Sequence, residues 1–262
     1  MEAVAATAAP DEALDARARA GDHEAFASLY GPHFEGVYDY VLRVVGEREL
    51  AADVVRTTFA KVQREFAEQG NDVGLWLFAT ARAAALETLR YRRDRNGEER
   101  EALKFTGIDG DRVPEANVVF DRELVELVWD AAAALPRDEY SLLALYVRHD
   151  LPAHALGDQL GLNGTAAVRL SRSRESFDDA VLCELVARRG RHNCAELHIH
   201  VRQADARSVA QHIQRCAQCR QSRTAFVSPS DVLGALARMA PPKSLRREIF
   251  RRTRRQRLFG IL

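Results

Sequence analysis

Residues 212–221 read HIQRCAQCRQ. The chain has four cysteines, Cys183, Cys194, Cys216 and Cys219, and two of them follow His212 as His-x3-Cys-x2-Cys. On one helix, residues three and four apart share a face. Three such ligands can hold a Zn2+ ion at about 2.0–2.3 Å in the tetrahedral geometry zinc accepts. Cys194 is the first choice for the fourth ligand, because thiolate is a strong zinc ligand and it lies just upstream. His192, His198 and His200 are its rivals. The plainer alternative is a pair of thiols beside a surface histidine. Residues 190–225 hold few apolar side chains, and a unit that small often needs a metal to fold, which favours zinc. Thiolate-bound zinc is also a potential redox sensor, since oxidation removes the ligands. The spacing fits both a structural and a sensing role.

A second candidate lies in residues 151–177, LPAHALGDQLGLNGTAAVRLSRSRESF. Ala155, Leu156 and Leu160 make one apolar face, and Gly161 ends that helix where a left-handed conformation suits glycine. Asn163 or Thr165 then caps a second helix. That helix turns Ala167, Leu170 and Phe177 inward and Arg169, Arg172 and Arg174 outward. Two short helices around a Gly-containing turn fit a helix-turn-helix, whose second helix enters the DNA major groove. The arginine fork matches guanine edges and phosphates. The alternative is a solvated arginine face on an ordinary helix pair.

Other chemistry is missing. There is no Gly-rich phosphate loop, no His-Glu-x-x-His and no nucleophile elbow, so an enzyme is not expected. His33, His149 and His154 read as solvated or core residues.

The elements that position these groups are helices. Of 262 residues, 47% are apolar and 29% charged, enough for one or two ordinary domains with real cores. Apolar residues recur at three and four almost everywhere, so the fold class is all-α. The spacing predicts a flexible acidic arm over 1–21, a helical domain over 22–95 and a linker over 96–119. A second helical domain follows over 120–186, then the zinc-binding unit over 190–225 and a basic tail over 226–262. Net charge is zero, but residues 1–24 carry six acidic and two basic side chains, and residues 243–257 carry eight Lys/Arg and one Glu. The basic tail, helical or disordered, would attract phosphate or lipid. No signal peptide opens the chain and no stretch reaches the ~18–20 apolar residues of a membrane span, which predicts a cytoplasmic protein. The end, RRTRRQR followed by LFGIL, resembles the cytoplasmic edge of a membrane helix or a helix end that packs apolar residues.

Two long segments carry a family resemblance. AFASLYGPHFEGVYDYVLRVVGERELAADVVRTTFAKVQREF (25–66) and WLFATARAAALETLRYRRDR (76–95) resemble conserved region 2 of extracytoplasmic-function (ECF) sigma factors. LPRDEYSLLALYVRHDLPAHALGDQLGLNGTAAVRLSRSRESF (135–177) resembles their region 4. The order and the linker are those of the family. The resemblance implies a transcription initiation factor in which region 2 docks on core RNA polymerase and helps melt the −10 promoter element. Region 4 would read the −35 element. It assigns polymerase docking to Asp53, Val55, Arg56 and Phe59. Promoter DNA falls to Arg82, Arg90, Tyr91, Arg92 and Arg93, with Thr88 beside them, and to Asn163, Thr165, Arg169, Arg172 and Arg174. In ADVVRTTF (52–59), Arg56 and Thr57 stand where the family shows a Gln and an acid, a change expected to weaken or re-route docking.

Residues 190–225 are similar to the zinc-binding anti-sigma domain, which ends a helix in the same His-x3-Cys-x2-Cys as His212, Cys216 and Cys219 and takes its first ligand from an upstream helix. The resemblance implies an intramolecular contact with the sigma domains. It also implies a membrane or anti-sigma partner. Two rival readings stand beside this one: a DNA-binding regulator that keeps the fold without engaging polymerase, and a protein-interaction module.

Overall fold

A computed structural model describes residues 10–65, 72–96, 122–162, 164–190, 194–203 and 206–255. Every regular element among them is helical, so the all-α expectation holds. Most of the expected linker lies outside the described residues, as do Asn163 and His192. In chain order the helices are α1 (Pro10–Arg19), α2 (His23–Tyr30), α3 (Phe34–Val45), α4 (Arg48–Arg64) and α5 (Val73–Asn96). Then come α6 (Arg122–Ala134), α7 (Arg137–Val147), α8 (Ala153–Gln159) and α9 (Ala166–Leu185), which runs into a π-helical turn at Val186–Gly190. The last are α10 (Ala195–Arg202), α11 (Ala206–Arg215), α12 (Ala217–Thr224), α13 (Pro229–Ala235) and α14 (Lys243–Arg255). They form two compact units, one of residues 1–99 with 238–262, the other of residues 100–237.

In the first unit, α1 occupies much of the stretch expected to be a flexible arm. Arg17 donates to Asp22 at 2.7 Å, and the other Asp22 oxygen accepts the N–H of Glu24 at 2.9 Å and of Ala25 at 3.4 Å. Those bonds satisfy donors that the first turn of α2 leaves without partners. The Arg17 hydrogen bond, foremost among these, holds the Asp22 carboxyl below its ordinary range.

The central post is α3, where every residue except Glu35 is buried. It ends at Gly46, whose φ of 79° is left-handed and suits glycine. Its burial includes Asp39 and Arg43, 3.5 Å apart. A buried ion pair is costly unless further hydrogen bonds satisfy it, and Asp39 also accepts the N–H of Met239 at 2.9 Å. The chain thus returns to this unit after its long excursion, and α14 then lies against α2 and α4. Leu245 and Ile249 are buried there. The Phe250 ring sits 6.3 Å from Phe26 and 6.0 Å from both Phe34 and Phe59, within the range of favourable aromatic pairs.

In the second unit, α6 to α9 enclose a core of Val128, Trp129, Tyr140, Leu143, Leu156 and Phe177. Against it docks α13, bound at both ends. At its start, the Asp178 carboxylate of α9 accepts the Ser230 N–H at 2.7 Å and the hydroxyls of Ser230 and Ser228 at 3.1 and 3.3 Å. A neighbouring helix thereby does the work of an N-cap and opposes the helix dipole. At its end, the buried Arg148 donates to the Leu233 and Leu236 carbonyls at 2.7 and 3.3 Å. Gly234 rests on the Val147 carbonyl, where an added Cβ would come within 2.4 Å. A smaller apolar cluster gathers Val186, Cys194, Leu197, Ile213 and Cys219, with Cys183 and Phe226 packed against it.

Candidate functional site

The Cys/His residues converge. Cys194 Sγ lies 3.3 Å from His212 Nε2 and Cys219 Sγ lies 3.5 Å from the same nitrogen. With Cys216, the four ligand atoms all fall within 4.8 Å of one another. The three downstream ligands do not share one helical face. α11 ends at Arg215, Cys216 adopts an extended conformation (φ −72°, ψ 123°), and Cys219 belongs to α12. The bend swings Cys219 back toward His212, which a straight helix would leave two turns behind. Cys194 reaches the group as the N-terminal cap of α10, its sulfur accepting the Leu197 N–H at 3.5 Å.

The electrostatics of this cluster suit a cation. The backbone N–H of Cys219 foremost, and that of Gln218, draw the Cys216 thiol below its ordinary value against the opposing effect of burial. Such amides at a helix start stabilise thiolate. Cys219 is pushed up to about 12, first by burial and then by its Cys216 and Cys194 neighbours. Sulfurs crowded this way resist ionising together unless a positive charge stands among them. The donor set fits a soft divalent metal. On the far side of the buried His212 ring, Nδ1 faces the Glu196 carboxylate at 3.6 Å, the side from which carboxylates orient metal-bound imidazoles. Of the rival ligands, His198 is exposed, while His200 stands against His212 with ring centroids 5.6 Å apart.

The bihelical corner at α8 and α9 is present. Gly161 has φ +64° and Gly164 +76°, and Gly157 lets the helices close, since an added Cβ would lie 3.1 Å from the Ala166 methyl. Two local expectations change. The inward face holds Ala166, not Ala167, which is exposed. Thr165 precedes α9 but its hydroxyl donates to the Leu162 carbonyl at 2.6 Å rather than capping the helix, because Thr165 has helical backbone angles (φ −85°, ψ −10°) instead of the extended ones a cap needs.

The three arginines of α9 have different surroundings. Arg169 pairs with Asp138 at 3.3 Å. Arg174 is turned onto α13, donating to Ser230 Oγ at 2.8 Å and to Asp231 at 3.0 Å. Arg172 is exposed, and no hydrogen bond or ion pair engages it among the described residues. Next to Asp178, Asp179 binds Arg223 of α12 in a close ion pair, so these two neighbouring aspartates hold α13 and the helix that carries Cys219.

In the first unit, Asp53 is exposed, whereas Val55 and Phe59 are buried. Arg56 bridges, its Nη1 donating to Asp53 at 2.7 Å and its Nε to Glu248 of α14 at 3.0 Å. On α5, Arg82 is half-buried and Arg90 to Arg93 form an exposed end, with Arg92 bound to Glu47 at 2.6 Å. Glu248, Phe250, Ser230 and Glu196 were missed as site residues. Of these only Ser230 carried a signal, in the Ser-Pro-Ser-Asp helix start at 228–231.

No protein-family model matches the chain, and no solved structure does. A stretch of 69 residues is 39% identical to the ECF RNA polymerase sigma factor BldN of Streptomyces coelicolor, covering 25% of this chain and 26% of that protein. The chain thus spans about a quarter of the relative it matches. This likeness supports an ECF sigma-like protein with a sigma-factor role in general. No described helix is long and apolar enough to cross a membrane.

Proposed function

We propose that this chain is a cytoplasmic ECF-type sigma factor that brings core RNA polymerase to promoters, and that its C-terminal zinc-binding unit and tail restrain it in cis. Residues 22–95 engage polymerase and the −10 element, and α9 reads the −35 element. The observation that carries the reading is the corner between α8 and α9, with an exposed helix face on which Arg172 has no hydrogen-bond or ion-pair partner among the described residues. The partial likeness to a sigma factor supplies the polymerase partner.

Zinc held by Cys194, His212, Cys216 and Cys219 would cross-link α10, α11 and α12, supplying the cohesion that a small apolar cluster lacks. Restraint comes from α14. It covers the face of α4 that carries Arg56 and Phe59, the surface the family resemblance assigns to polymerase. An inhibitor joined to its target acts at an effective concentration of order mM, so modest contacts suffice. The unusual Arg56 favours a second reading, a DNA-binding regulator that no longer engages polymerase.

Transcription reconstituted with purified core polymerase separates the two. Promoter-dependent transcripts, stronger when α14 is loosened, are expected. DNA binding with no transcript from any variant would replace the sigma reading with the regulator.

A further inference from the structure

Resting on the sigma reading, we propose that Val168 and Arg172 are the residues of α9 that read bases, Val168 through the 5-methyl group of a thymine and Arg172 through a guanine about two base-pair steps away. Most side chains in the first turns of the helix are already engaged. Ala166, Leu170, Ser173 and Phe177 face the core. Arg169 is held by Asp138, Arg174 by Ser230 and Asp231, and the Ser171 hydroxyl donates to Glu175 at 2.9 Å. Ala167, Val168, Arg172 and Ser176 remain, all exposed. Of these, Val168 and Arg172 offer the larger apolar surface and the cationic fork, and they stand four residues apart and so on one face.

Val168 is 51% exposed. A branched apolar side chain in solvent gains nothing for the fold, and valine is among the poorer helix formers. In a major groove it meets one apolar feature, the thymine methyl, which only A·T and T·A pairs display. One turn later, Arg172 presents the unengaged fork that fits guanine O6 and N7. Four residues advance an α-helix by about 6 Å, which spans about two base-pair steps at 3.4 Å each. The helix therefore reads a thymine, on either strand, about two steps from a guanine. The two arginines already engaged fit phosphate or intramolecular roles, which carry no sequence information.

The test uses the full chain, alone and with core polymerase, to select from randomised duplex DNA, followed by replacement of each thymine in the enriched site by deoxyuridine, which lacks only the methyl. One replacement should weaken binding by the parent about threefold, the worth of one buried methyl. That same replacement should cost Val168→Ala nothing, although Val168→Ala binds the unmodified site about threefold more weakly. Arg172→Ala should relax the preference at one guanine while leaving the thymine effect intact. If parent and Val168→Ala lose equally at every thymine, the assignment fails while the sigma reading stands. If no sequence is enriched under either condition, the sigma reading fails first and takes this one with it. Because both side chains are exposed, unchanged thermal unfolding checks that neither variant acts through the fold.

Discussion

Arg56 on α4 and Glu248 on α14, 192 positions apart in the chain, meet at 3.0 Å. The side chains are 34% and 35% exposed. A pair this open to water is worth no more than about 1 kcal/mol, so it selects the partner rather than holding it. Adhesion comes from Phe250 among Phe26, Phe34 and Phe59. The pair also gives a physical account of the departure in ADVVRTTF: the cation faces an acid supplied by the same chain.

Charge reversal tests that account. Arg56→Glu sets three carboxylates together, the introduced one facing those of Asp53 and Glu248. It should loosen α14 by about 1 kcal/mol, raising amide exchange over 243–255 about fivefold. Transcription with core polymerase should rise by a similar factor. Adding Glu248→Arg to Arg56→Glu should return both quantities toward the parent. Equal exchange in the parent and both variants would remove α14 as a restraint.

The cysteine cluster predicts one zinc per chain. Cys216→Ser with Cys219→Ser should reduce bound zinc, measured by elemental analysis, to background. A chelator acting on the parent should raise amide exchange in α10, α11 and α12 at least tenfold, equivalent to about 1.4 kcal/mol. Zinc content equal in parent and double variant would refute the site.

Asp178 gives a pH-dependent prediction. Burial, its largest influence, raises its carboxyl above the ordinary aspartate value, against the Ser230 N–H and hydroxyl and the Arg174 charge, which lower it. A raised folded-state value means that the protonated form is favoured by folding. That contribution is fully present below the unfolded-state value of about 3.9 and is lost as pH rises through the raised one. Asp178→Asn should therefore flatten the acid side of the stability profile and change stability at neutral pH by less than about 1 kcal/mol. Asp178→Ala instead leaves the buried Ser230 N–H without an acceptor and should cost about 1–3 kcal/mol. Urea unfolding across pH distinguishes them.

Gly234→Ala should destabilise despite the better helix propensity of alanine, which by itself favours the change by about 1 kcal/mol. The new methyl meets the Val147 carbonyl, and overpacking of this kind costs about 1–3 kcal/mol. Undocking α13 releases Arg174, so the variant should bind nonspecific duplex DNA more tightly at low salt, with a steeper salt dependence by about one phosphate. A variant as stable as the parent would show that α13 is not seated on Val147.

Periodicity made the helices and the corner at Gly161 readable, because apolar spacing and a left-handed glycine are local signals. Its errors were also local. The one-residue slip from Ala166 to Ala167 comes from two adjacent alanines that spacing does not distinguish. The break at Cys216 is invisible in HIQRCAQCRQ, which has no glycine or proline. What sequence could not supply was the partner of each exposed-looking charge. Lys243–Arg255 reads as a solvated basic stretch, since its cations mask Leu245, Ile249 and Phe250, three apolar residues whose packing depends on a surface formed nearly 200 residues earlier. Arg174 looked equivalent to Arg169 and Arg172 for the same reason: its acceptors lie past the cysteine cluster.

The hydrogen bond from the Met239 N–H to the Asp39 carboxylate joins the two ends of one unit and makes its completion a matter of timing. Translation at about 5–20 residues per second needs roughly 10–40 s to proceed from the end of α4 to the end of α14. Through that interval every nascent copy has its α4 face bare while still on the ribosome. If α4 is the polymerase surface proposed above, a newly made chain and a finished one present different faces to polymerase, and the rate of synthesis itself becomes a variable in how much of the chain is open to it.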